Sequence, residues 1–154
     1  MSNDVYGFVA TQHPNETRAF LEAAASRRNI GVKFIMADEL FNFPPEVLPT
    51  GNHVAFVVGD RGGKESADYL TDMVDYAPGA LEGLSASGEQ RLSLLVDWIE
   101  EIGRHRATEW IYIAMTECSE IESHERVGLD GLRGQLMSDF RQHAPPNRLY
   151  VVSA

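Results

Sequence analysis

Cysteine is almost missing from this chain: Cys118 is the only one in 154 residues. That excludes an internal disulfide and a cysteine-built structural zinc site, and it fits a reducing cytoplasm. Long apolar runs are missing too, since none approaches the roughly 18 residues that a membrane span needs. The start, MSNDVYGFVATQHPNE, lacks the basic region, apolar core and small-residue cleavage site of a secretory signal, so the mature protein is expected to be the whole chain. Bases are scarce, with 13 Lys and Arg against 23 Asp and Glu and a net charge of −10. Such a balance argues against direct nucleic-acid or anionic-membrane binding and in favour of a basic partner or simple solubility. The five histidines show no HExxH or HxH spacing, and no repeat or low-complexity segment is present.

What is present is a series of short apolar runs separated by helical patterns, in a length that fits one domain. Runs rich in β-branched and aromatic residues predict strands at Val5–Ala10, Gly31–Met36, His53–Gly59, Trp110–Met115 and Arg148–Ser153. The run at Trp110–Met115 is apolar throughout and reads as a central strand. Helical spacing predicts a helix from Glu16 to about Arg28, capped by Asn15 and stopped by Asn29. A second is expected from about Lys64 to Tyr76, and a third from Ser87 to about Gly103 with Leu92, Leu95, Val96, Ile99 and Ile102 as its buried stripe. The last, from Val127 to His143, carries Leu129, Leu132, Leu136 and Phe140, with Gly128, Gly131 and Gly134 weakening its first half. Together these predict a single α/β domain, a three-layer sandwich with a mostly parallel or mixed five-stranded sheet and helices on both faces.

Between the second and third strands lies DELFNFPPEVLPTGN, long and apolar for a plain connection. Leu40, Phe41 and Phe43 are expected either to fold back over the sheet as a lid or to serve as interface anchors.

No motif fixes a reaction. The turn VVGDRGGKES places glycines after a buried strand, but Gly59 and Gly63 enclose three residues and Glu65 follows Lys64, so it fails the phosphate-loop pattern. Asp60 invites comparison with the phospho-acceptor of receiver-like domains. That chemistry needs acids after the first strand and a lysine after the fifth; the first position holds Thr11 and Gln12, and the chain ends after its fifth strand. Cys118 with His124 or His105 is a poor thiolate pair among glutamates, whose charge raises a thiol's pKa. The stretch ECSEIESHE matches no calcium loop.

Charge placement says more. Between Glu65 and Glu101 lie nine acids and one base, Arg91, and between Glu117 and Asp130 five acids and one base, Arg126. Like charges three or four residues apart cost a helix roughly 0.2–0.5 kcal/mol per pair, so these acids do not look chosen for helix stability. They predict a docking face for a basic protein, formed by Asp68, Asp72, Asp75, Asp97, Glu100, Glu101, Glu117, Glu120 and Glu122, with Phe41 and Phe43 as apolar anchors. No cofactor, metal, nucleic acid or membrane enters this expectation, and the most specific form of it is a cytoplasmic immunity protein that plugs the basic cleft of a toxin enzyme. The alternative is a small α/β enzyme or ligand-binding domain with a crevice at the carboxyl ends of strands three and four, using Asp60, Lys64, Thr116, Glu117, Cys118 and His124.

Overall fold

A computed structural model describes residues 3–40, 42–60, 84, 88–117, 120–142 and 145–153. Every predicted strand forms. They are β1 (Asn3–Thr11), β2 (Ile30–Ile35), β3 (His53–Asp60), β4 (Thr108–Glu117) and, at the end, β6 (Arg148–Ser153). Three helices accompany them: α1 (Pro14–Arg27), α2 (Gly88–Arg104) and α3 (Leu132–Arg141). The helix expected over Lys64 to Tyr76 lies outside the described residues.

The strand count and direction differ from expectation. A sixth strand, β5 (Ser123–Gly128), occupies part of the acidic stretch between Glu117 and Asp130, and α3 begins later than the expected Val127, after a 3-10 turn at Leu129–Gly131. The sheet order is β2-β3-β1-β4-β6-β5, antiparallel throughout except for the parallel pair of β5 and β6. The sheet is therefore mixed and mainly antiparallel in its pairings, not mostly parallel. The sequence concealed this because β1 and β2 do run in the same direction, as a strand-helix-strand pattern implies, while β3 inserts antiparallel between them.

All three described helices cover one face of the sheet. Leu21 and Ala24 of α1, Leu95, Trp98 and Ile99 of α2, and Leu136 and Phe140 of α3 share one core with Val5, Phe56, Ile113 and Tyr150 from the strands. Topology explains the common side. The crossovers β1-α1-β2 and β5-α3-β6 start from strands of the same orientation and step in the same direction across the sheet, so a shared crossover hand puts both helices on the same face. The opposite face carries Tyr6, Phe8, Ala55, Ala114, Leu149 and Val151, and the 36–52 connection covers it with Leu40 and Phe43, joined by Val47, Leu48 and Ile121. Phe43 lies 5.5 Å from the Tyr6 ring and 6.0 Å from that of Phe8. The lid form of the expectation thus holds for Leu40 and Phe43; Phe41 lies outside the described residues.

Local chemistry sets the helix positions. α1 starts at Pro14, one residue before Asn15 and two before the expected Glu16, because Pro14 at its first position has the required φ and no N–H to leave unpaired. The Thr11 hydroxyl accepts the His13 N–H at 3.1 Å and is hydrogen-bonded to the Thr17 hydroxyl at 2.8 Å, tying the end of β1 to the first turn. Asn29, at φ 57°, reverses the chain into β2 and ends the helix as the sequence implies. α2 buries its whole predicted stripe, and Trp98, wholly buried, donates its indole N–H to the Leu21 carbonyl at 3.1 Å while meeting Phe56 edge-on at 5.3 Å. Burying each such large side chain contributes about 1.5–3 kcal/mol, so α2 is the principal cover of the sheet.

Two glycines give opposite expectations. A Cβ on Gly7 would lie 1.8 Å from the Tyr112 carbonyl oxygen, whereas one on Gly134, inside α3, meets nothing within 4 Å. Gly7→Ala should therefore lose more than about 2 kcal/mol in urea unfolding through overpacking, and Gly134→Ala should gain about 0.5–1 kcal/mol by restricting the unfolded chain.

Candidate protein-docking site

The acids of α2 have partners inside the molecule. Arg133 of α3 donates to Glu100 at 2.7 Å, to Asp97, and to the Ser93 hydroxyl at 2.9 Å. The Glu100 hydrogen bond, opposed by burial and helped by Asp97, raises the Arg133 pKa above its ordinary value. On the other flank Glu101 pairs with both Arg27 and Arg28 at the end of α1. At the start of α2, Glu89 accepts from Arg141 at 3.2 Å. Acids that repel one another along α2 are each matched to a cation on a neighbouring helix. Of the residues expected to dock a partner, Asp97, Glu100 and Glu101 therefore hold α2 between α1 and α3, and Phe43 is buried in the protein's own core.

The second acidic stretch is arranged differently. Ile121 packs toward the Phe43 core, and its neighbours Glu120 and Glu122 are exposed and pair with no base among the described residues. The Glu122 N–H donates to the Asn147 carbonyl at 2.8 Å, which fixes the connection beside the start of β6. Half-buried Glu125 lies on edge strand β5 beside exposed Arg126, and exposed Asp130 follows in the 3-10 turn. Asp68, Asp72 and Asp75 lie outside the described residues, as do Lys64 and Cys118.

The ends of β3 and β4 do come together. Both are antiparallel to β1, which lies between them, and the register sets Asn3 opposite Glu117, Asp4 opposite Thr116 and Val5 opposite Val58. Asp60 and Glu117 thus terminate their strands at the same end of the sheet. Thr116, at that end, is fully buried and its hydroxyl has no hydrogen-bond partner among the described residues. His124 is exposed on β5.

One constellation escaped the sequence reading. Asp139 of α3 is 3% exposed and accepts from the Tyr150 hydroxyl at 2.6 Å, Arg148 at 2.9 Å and Gln135 at 3.1 Å. Arg148 also donates to the Ser123 hydroxyl at 3.1 Å, so the network joins α3, β6 and the start of β5. Burial, and then the Asp139 carboxylate, push the Tyr150 pKa well above the ordinary phenol value. A signal was available: Asp139 lies seven residues after Leu132 and three after Leu136, on the apolar stripe of α3. No helix among the described residues is long and apolar enough to cross a membrane.

Scanned against protein-family models, curated proteins and solved structures, the chain matches none.

Two measurements test the interactions above. Tyr150→Phe strips Asp139 of one donor and should cost about 1–3 kcal/mol near neutral pH. In the wild type the unfolded phenol ionises near its ordinary value of 10.0 while the folded one stays neutral, so stability falls as pH rises past that value. The variant lacks this component, and its chemical-denaturation curve should fall less steeply between about pH 9 and about pH 11. Arg133→Met should lower stability by about 0.5–1 kcal/mol, a figure discounted for the partial exposure of the guanidinium, and the difference should shrink in high salt.

Proposed function

We propose that this protein is a non-enzymatic binder of a basic protein partner, and that its most specific role is that of an immunity protein inhibiting a toxin enzyme. The observation that carries this reading is the contrast between the two acidic stretches. The α2 acids are neutralised within the fold, while Glu120 and Glu122 stand exposed and unpaired among the described residues, on a connection held down by Ile121. Fixed, unopposed charge on an overall acidic protein accelerates encounter with a basic surface and penalises acidic competitors. A toxin enzyme whose cleft binds nucleic acid or nucleotides offers such a surface. Glu120 and Glu122 form the centre of the proposed contact, with Glu117 preceding them at the end of β4, and Asp68, Asp72 and Asp75 are its further candidates.

The second reading, a small enzyme or ligand-binding domain, is favoured by one observation: the buried Thr116 hydroxyl, unpartnered among the described residues, at the sheet end where β3 and β4 terminate in Asp60 and Glu117. The two readings diverge under mutation. An affinity pull-down from native cells should retain one basic protein in near-equal amount at low salt. Reversing both charges, Glu120→Lys with Glu122→Lys, should weaken that capture at least about tenfold, leave the melting temperature unchanged, and remove most of its salt dependence. Capture that is indifferent to both reversals removes the docking reading. Recovery of a bound metabolite lost on Thr116→Val transfers the argument to the sheet-end crevice.

A further inference from the structure

A cleft of about 260 Å³ opens at the opposite end of the sheet, where β2 stops, β3 starts and α1 begins. Its walls are mainly apolar: Phe34, Ile35, Met36, Val54 and Ala55 from the strands, with Pro14 and Ala37 at the rim. Its polar lining consists of Asn15, Arg18 and His53, and none of the lining residues is acidic. In a chain with net charge −10, a concave surface free of carboxylates and holding a guanidinium has a charge opposite to its host.

Two of the neighbouring acids, Glu16 and Glu39, are engaged by groups of the fold itself. Glu16, beside Asn15 on α1, faces His105 and Arg106, each at 3.8 Å. Glu39, just past the lining, accepts the Met36 N–H at 2.6 Å. Among the described residues Arg18 meets an aromatic ring in place of a carboxylate: its guanidinium carbon lies 4.4 Å above the centroid of Phe34. Stacking of this kind holds the guanidinium plane while leaving its edge donors available for a carboxylate. The His53 Nδ1–H donates to the Gly51 carbonyl, 2.9 Å away, and its ring meets that of Phe8 edge-on at 6.1 Å.

We propose that this cleft binds a small aromatic monocarboxylate, the ring lying against Phe34 and Val54 on the α1 side of the sheet and the carboxylate paired with Arg18. The volume is below the range of about 300–1,000 Å³ typical of drug-sized ligands, which sets the occupant at a single ring. A cation finds no carboxylate in the lining, and a nucleotide exceeds the space.

Benzoate is the probe, followed by amide shifts in two-dimensional NMR and by calorimetry on the full chain, with benzylamine as the control of equal ring and opposite charge. Benzoate should bind saturably and shift the amides of Phe34, Met36 and Val54, while benzylamine should not. Arg18→Met keeps an apolar stem on Phe34 and removes the charge, and should weaken benzoate at least tenfold. Ala37→Trp fills the rim and should abolish binding with an unchanged fold by circular dichroism. Unsaturable benzoate shifts, equal binding of benzylamine, or undiminished affinity in Arg18→Met each overturn the proposal.

Discussion

A strand in the middle of a sheet must satisfy neighbours on two edges and two faces at once, and the rest of this molecule follows from how β1 does so. Val5 and Val9 enter the helix-side core, while Tyr6 and Phe8 enter the core under the 36–52 connection. Gly7 between them permits the close approach to the backbone of β4 at Tyr112. Because β1 is apolar on both faces, each face needs a cover, and the two covers differ. One is three helices; the other is an irregular segment built on Leu40 and Phe43, with 3-10 turns on either side of it.

The helical cover is held by two kinds of interaction acting at different depths. Beneath, Trp98 fills the space between α1 and the sheet, and its one polar atom is satisfied by Leu21. Above, arginines of α1 and α3 reach the acids of α2 from both flanks. These partly exposed pairs are individually weak, and they act more on helix placement than on total stability. The arrangement explains why α2 tolerates a density of negative charge that its own sequence does not balance.

Much of this was legible in the sequence. The apolar runs located five strands, Asn29 marked the end of α1, and the stripe from Leu92 to Ile102 described α2. β5 was not legible because SHERVG is an edge strand, alternately half-buried and exposed, with one valine and no continuous apolar run. Strand direction was not legible either, since the insertion of β3 between β1 and β2 depends on contacts remote in sequence. For the candidate docking site, sequence spacing showed where acids cluster, but not that Arg27, Arg28 and Arg133 would be brought against three of them. The exposure of Glu120 and Glu122 was consistent with the sequence; the burial of Phe43 was decided by Tyr6 and Phe8, some 35 residues away along the chain.

The position of β6 has a consequence for the order of assembly. It follows β5 in sequence yet lies between β4 and β5 in the sheet. As the chain leaves the ribosome, β5 emerges before β6, its one partner strand among the described residues. Two of the ties across this region, Arg148 to Ser123 and Tyr150 to Asp139, also wait for β6. The β5 strand thus joins the sheet once the segment at 148–153 takes its place between β4 and β5, while α3 already has its ties to α2, and the closing step of sheet assembly is the insertion of an interior strand.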